Sequence, residues 1–247
     1  MMNRTALVLI LSAMLIVVAG CGNKSDNNAA QNNQGTVTDT TNDPADNTSS
    51  NGTGNATSGG STNAGQTGQK SWKEMPKMSI DTAKAYSAVV KTNKGEFTID
   101  LYAKDAPKTV NNFVFLSKEK YYEGVKFHRI IQSFMIQGGD PTGTGSGGPG
   151  YTIPDELNNG HKYEDGTIAM ANTGQPGSGG SQFFICTGPD AKFLNSMPNY
   201  TIFGKVSKGM DVVKAIAATP VGPGNGEQQD SKPTKDVHIE SIAISEK

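Results

Sequence analysis

Phe127-His128-Arg129-Ile130-Ile131-Gln132-Ser133-Phe134-Met135-Ile136-Gln137-Gly138-Gly139-Asp140 takes in most of one short strand signal, Val125–Ile131, and all of a second, Phe134–Gln137. Side chains alternate across a strand, so Arg129, Met135 and Gln137 share parity and fall on one side. A cation, a thioether and an amide then line a single surface. Burying an unpaired charge is costly. Either the stem of Arg129 packs while its head reaches solvent, or this surface is a site. Parity alone leaves both readings open.

Outward from this stretch the same pattern recurs. Met170-Ala171-Asn172, a Gly-rich connection, and Ser181-Gln182-Phe183-Phe184-Ile185-Cys186-Thr187 follow. Gln182 and Phe184 share one face there, with Phe183 and Ile185 on the other. Upstream, Phe97, Ile99 and Leu101 alternate with Thr98 and Asp100, and Ala88–Lys91 precedes the turn Thr92-Asn93-Lys94-Gly95, which predicts a β-hairpin. Further strands are expected at Thr167–Ala171, Thr201–Val206 and Val237–Ile244. Asp105-Ala106-Pro107 has the form of a helix start, an acceptor side chain ahead of an early proline. That helix should run to about Lys120, and a second should cover Met210–Ala218. Many short strands, Gly-rich connections and two helices predict a mainly β protein, a closed antiparallel barrel.

The chain around this domain is uneven. Its 247 residues carry 22 Lys+Arg and 23 Asp+Glu, a net charge of −1. Nucleic acid is not an expected partner, since no basic excess exists to replace phosphate counterions. Residues 1–20 hold Arg4 and an uncharged run from Ala6 to Ala19, ending Val18-Ala19-Gly20-Cys21. That is the layout of a secretory signal, too short for a spanning helix of roughly 20 residues. It also resembles the bacterial lipoprotein signal, which implies cleavage before Cys21, diacylation of its thiol and attachment to the extracytoplasmic face of the bacterial cell membrane. Paired acyl chains anchor stably. An ordinary secreted protein with a Cys just after its signal is the alternative. Between Gly22 and Lys70 the chain is almost wholly Asn, Gly, Ser, Thr, Gln and Asp, with five Ala and Val37 as its apolar residues. It cannot bury enough surface to offset its ordering entropy. Residues 21–70 therefore read as a disordered tether with a span of roughly 40 Å; a polar binding tail is the other reading. Residues 71–85 are transitional, with Trp72, Met75, Met78 and Ile80 available to pack. Residues 86–247 form the folded domain.

Other chemical signals are weak. Gly143, Gly145 and Gly148 have the spacing of a dinucleotide loop, but Pro149-Gly150 cannot open the helix that such a loop needs. His128, His161 and His238 show no metal-ligand spacing, so no metal is expected. Cys21 and Cys186 are too few for a disulfide scaffold or a cysteine zinc site. Cys186 lies in an apolar run and reads as a small core residue. No Gly-x-Ser-x-Gly elbow supports a serine hydrolase.

Phe127–Asp140 and Ser181–Thr187 resemble the signature segments of the cyclophilins, the peptidyl-prolyl cis-trans isomerases, and the likeness extends from about Ala88 to Ile244. The resemblance implies an eight-stranded closed antiparallel barrel capped by two helices, proline-containing polypeptides as partners and no cofactor. Arg129 matches the family's catalytic arginine. Phe134, Met135, Phe184 and Leu194 match its proline pocket. Gln137, Ala171, Asn172 and Gln182 match the groove for the substrate backbone, and Gly145 matches the glycine-loop edge. Catalytic roles are assigned on this basis to Arg129, Phe134 and Gln137. Phe193 stands where the best-known members carry Trp, Tyr200 where they carry His, and Thr173 where Ala is common; Gln132-Ser133 replaces Pro-Gly. The Trp contributes to cyclosporin binding in the family, so tight inhibition by that drug does not carry over.

These residue types suit the reaction. Twisting an amide C–N bond meets a barrier of about 18–20 kcal/mol. No bond is made or broken, so neither nucleophile nor metal is needed. A donor that binds the twisted amide better than the planar one lowers that barrier. Two functions remain at this stage: an isomerase for exported or surface proteins, or a module that holds prolyl peptides without turnover. Nothing in the sequence points to an obligate interface, and a monomer is expected.

Overall fold

The computed structural model describes residues 70–224 and 226–247. The expected signal and tether, including Cys21, lie outside the described residues. The first hairpin forms where alternation placed it. β1 (Tyr86–Thr92) and β2 (Gly95–Leu101) pair antiparallel, with Ala88, Val90, Phe97 and Ile99 buried. α1 covers Pro107–Lys118, with proline in its first turn. Its start differs from expectation, because the N-cap is Ala106 and Asp105 does not cap it. Asp105 instead meets His161 at 2.9 Å, and Glu156 accepts from the amides of Lys108 and Thr109 at 3.0 and 2.9 Å. A carboxylate 47 residues away in the chain thus satisfies the free N–H groups of the first turn.

The remaining strands are β3 (Arg129–Ile131), β4 (Met135–Gly138), β5 (Thr167–Met170), β6 (Phe183–Cys186), β7 (Ile202–Lys208), β8 (Val221–Pro223), β9 (Asp230–Pro233) and β10 (Ile239–Glu246). α2 spans Met210–Ala217, and a 3-10 helix spans Pro189–Ser196. The described chain therefore has three helices, one more than expected. Eight strands form one antiparallel sheet in the order β10-β1-β2-β7-β5-β6-β4-β3, and β8 pairs with β9 separately.

The sheet is a curled half-barrel. Register shifts at Lys91/Thr92, Thr98/Ile99 and Ile168/Ala169 bend it. The edge strands β10 and β3 do not pair with each other. The chain ahead of β3 meets the start of β10 instead, through one bridge between Lys126 and His238 and bonds from the Gly124 amide to the Ile239 carbonyl at 2.8 Å, the Ile239 amide to the Val125 carbonyl at 2.9 Å and the Phe127 amide to the Val237 carbonyl at 3.0 Å. The expected closed barrel is met only in part: the expected strand at Val125–Ile131 is regular only over its last three residues, and the two edges of the sheet meet over this short stretch alone.

Two apolar clusters occupy opposite faces of the β3–β4–β6 region. Ile130, Ile136, Phe183 and Ile185 join the main core with Val110 and Phe113 of α1 and Val213 and Ile216 of α2. Met135, Phe184 and Cys186 point the other way, into a smaller cluster with Ala169, Leu194 and Ile202. Of residues 71–85, Trp72 packs on Phe115 with ring centroids 5.2 Å apart and Ile80 is buried, whereas Met75 and Met78 are exposed.

Candidate active site

The smaller cluster forms the floor of a cleft. β3 and β4 pair with Arg129 opposite Gln137 and Ile131 opposite Met135. In β6, Phe184 lies opposite Gln137. Cross-strand pairing therefore sets Arg129, Met135, Gln137 and Phe184 on one face, as period-two alternation predicts. Phe134 joins them for a different reason. Strand parity would turn it away from Met135, but β4 starts one residue later and Phe134 sits in the turn, its amide bonded to the Ile131 carbonyl at 2.9 Å.

A cavity of about 280 Å³ opens above this floor. Arg129, Phe134, Met135, Gln137, Ala171, Asn172, Phe184, Phe193, Leu194 and Tyr200 line it, together with Met197 and Asn199. Phe184 and Tyr200 meet edge to face with centroids 5.3 Å apart. Phe193 leans on Phe134 at 5.3 Å and is 51% exposed, a rim rather than a floor. Asn172 is fixed by its Nδ2, which donates to the Asn199 carbonyl at 2.8 Å.

A second cavity of about 450 Å³ adjoins the first and shares Gln137, Ala171 and Asn172 with it. Gly145, Thr173 and Gln182 belong here. Gln182 Nε2 donates to the carbonyls of Gly145 and Gly147 at 3.0 and 2.9 Å, while its Oε1 accepts from Gln137 Nε2 at 3.0 Å. Thr173 is exposed and donates through its amide and its hydroxyl to Ser178 Oγ at 3.1 and 3.0 Å. The expected site residues thus divide between two neighbouring hollows, an aromatic one and an amide-lined one.

The loop carrying Gly145 is organised by Asp140, which is fully buried. Its carboxylate accepts from the amides of Thr142, Thr144 and Gly145 at 2.7, 3.1 and 2.6 Å, and from the Thr142 hydroxyl at 2.7 Å. Burial pushes its pKa up, but these donors outweigh it and hold the carboxyl below its ordinary value. Gly147 passes so close that a Cβ there would collide with Asp140 Oδ1.

Among the described residues that line the aromatic cavity, Arg129 is the one charged group. Its Nη1 faces Met135 Sδ at 3.7 Å, and its Nε donates to Glu227 Oε1. Glu227 was not among the expected site residues. On the far side of Arg129 a third cavity of about 400 Å³ is lined by His128, Thr144, Gly145, Glu227 and Lys232. Burial and Arg129 push the His128 imidazole below its ordinary value, against the opposing pull of Asp140 and Glu227. Among the described residues, no three His, Cys, Asp or Glu side chains are placed to hold a metal ion.

The site and its scaffold have close relatives. The chain is 43% identical over 175 residues to peptidyl-prolyl cis-trans isomerase B of Streptomyces anulatus, covering 64% of this chain and 95% of that protein. It is 44% identical over 177 residues to peptidyl-prolyl cis-trans isomerase A of Mycobacterium tuberculosis, covering 64% and 92%. A crystal structure of a cyclophilin type peptidyl-prolyl cis-trans isomerase from Cryptosporidium parvum superposes with a TM-score of 0.57 at 34% identity, covering 65% of this chain and 98% of that one. The same parasite protein in the presence of the dipeptide Ala-Pro gives 0.56 at 34% identity, covering 64% and 98%. Residues 87–244, which hold both β-strand faces, all three helices and every wall of the cleft, match the family model described as cyclophilin type peptidyl-prolyl cis-trans isomerase/CLD, and the chain belongs to that family.

Proposed function

We propose that this chain catalyses cis-trans isomerisation of Xaa-Pro bonds in exported or surface proteins, with Arg129 stabilising the twisted amide above an apolar proline pocket. In the twisted state the proline nitrogen regains its lone pair. The Nη edge of Arg129 can donate toward that nitrogen and to the prolyl carbonyl. Meanwhile Phe134, Met135, Phe184 and Leu194 hold the ring, so the acyl part ahead of proline rotates against a fixed partner. Apolar walls also lower the local dielectric, which strengthens the field of the guanidinium. Gln137, Gln182, Ala171 and Asn172 offer amide and backbone groups to the rest of the peptide. Phe193, Tyr200, Gly145 and Thr173 border the two hollows.

The observation that carries this reading is the placement of Arg129 Nη1 at 3.7 Å from Met135 Sδ, on the edge of the aromatic cavity. A prolyl-peptide isomerisation assay tests it. Exchange between cis and trans faster than the uncatalysed 10–100 s is the expected result. Peptide binding without faster exchange would favour the holding module. The proposal extends to the address: Cys21 carries the lipid, residues 22–70 act as a tether, and the domain works at the extracytoplasmic face of the bacterial cell membrane.

A further inference from the structure

We infer that Glu227 is a positioning residue for Arg129, holding the guanidinium by its Nε edge so that the Nη edge stays turned to the proline cavity. This rests on the reading of Arg129 given above. The two edges of the guanidinium have different partners. Nε donates to Glu227 Oε1, and Nη1 faces Met135 Sδ at 3.7 Å. The pair is partly covered, with the two side chains 29% and 28% exposed, so it is screened less than a surface ion pair.

The β8–β9 connection is shaped to deliver this carboxylate. β9 packs beside β3, and its Ser231 is buried. Burial alone would push the Glu227 pKa up, but hydrogen bonds from the Ser231 hydroxyl and the Arg129 guanidinium hold it below its ordinary value. Gly224 makes the approach possible, since a Cβ there would collide with Ser231 Oγ. A chain of contacts therefore runs from buried Ser231 through Glu227 to Arg129.

Arginine side chains carry a large rotamer entropy. Ordering the guanidinium before substrate arrives removes that cost from the catalytic step, the ordinary benefit of preorganisation. The carboxylate also weakens the positive field of Arg129. Nη1 still faces the cavity, and the positioning effect has to outweigh this weakening. Lys232 and His128 face the same 400 Å³ cavity but do not meet the Nε edge.

The test is a double-mutant cycle in the full chain, reading kcat and KM for prolyl-peptide isomerisation alongside thermal melts. Glu227→Ala should lower kcat about fivefold and move KM less than about twofold, since the lost interaction acts in the transition state. Glu227→Gln keeps an oxygen acceptor for Nε and should restore at least half of the lost kcat; Glu227→Asp, one methylene too short, should not. In an Arg129→Ala background, Glu227→Ala should change nothing further. Should the alanine variant melt early, the Gln and Asp pair carries the same comparison. Activity of Glu227→Ala at or above wild type would overturn the inference in favour of a competing carboxylate. So would an undiminished loss in the Arg129→Ala background. Failure of the inference alone would leave Arg129→Ala impaired and Glu227→Ala neutral, whereas full activity in Arg129→Ala would overturn both readings.

Discussion

Asp140→Ala should loosen the glycine loop that holds the amide-lined half of the cleft. Asp140 accepts four close hydrogen bonds, from the amides of Thr142, Thr144 and Gly145 and from the Thr142 hydroxyl, at 2.6 to 3.1 Å. Bonds to a charged group contribute about 1.5–3 kcal/mol each, but the sum is an upper bound because Thr144 and Gly145 are exposed and water can replace the carboxylate there. We expect a net loss of about 3 kcal/mol, close to the value of two such bonds. For a domain of this size that lowers the melting temperature by about 6–12 °C. The loop carbonyls of Gly145 and Gly147 accept from Gln182, which in turn accepts from Gln137, so KM for prolyl peptides should rise as well. The acid limb gives an independent check. The folded-state value of the Asp140 carboxyl lies below its ordinary value of about 3.9. Its contribution is therefore complete above that ordinary value and is lost as pH falls through the folded one. The stability gap between wild type and Asp140→Ala, measured by denaturant unfolding, should shrink on that descent. Asp140→Asn should fall between them, since its amide turns a donor toward N–H groups that need an acceptor. A variant with wild-type stability and unchanged KM would refute this account of the loop.

Glu156→Ala removes the remote acceptor at the start of α1 and should cost about 1–2 kcal/mol by chemical denaturation, the usual value of a helix cap; no change would show that water replaces it. Burial pushes the Cys186 thiol up to about 12, so in a Cys21→Ser background the native protein should resist thiol reagents at pH 8 and react only after unfolding. Rapid labelling of the native state would contradict the burial. Cys21→Ser should also release the protein from the membrane fraction, and a variant that still sediments with membranes would refute lipid attachment.

Much of this architecture is local enough to read along the chain. The β1–β2 hairpin needs only alternation and a turn, and both are written between Ala88 and Tyr102. The shared face of Arg129, Met135 and Gln137 likewise follows from period two. What escapes is set by tertiary contact. The 3-10 helix buries only Ala191 and Leu194, too few apolar positions to show a period. β8 and β9 contain Pro223 and Pro233 and lack alternation, so their pairing is invisible before the chain folds. The turn at Phe134 offsets the strand by one residue and brings two neighbouring side chains to the same cavity. Phe134, Leu194 and Tyr200 come from three separate segments, and only the family resemblance joined them beforehand. Glu227 lies in a Gly- and Pro-rich stretch where a carboxylate reads as a solvated turn residue. Its partner is 98 residues away, and no sequence pattern connects them.

The account stands on the guanidinium at the rim of the aromatic notch. Isomerisation by Arg129→Ala, followed by line-shape or exchange spectroscopy on an Xaa-Pro peptide with the fold verified by its melt, examines it most directly. Turnover should fall at least about tenfold, or 1.4 kcal/mol of transition-state stabilisation, while the apolar pocket still binds the ring. A folded variant that turns over at the wild-type rate would contradict it.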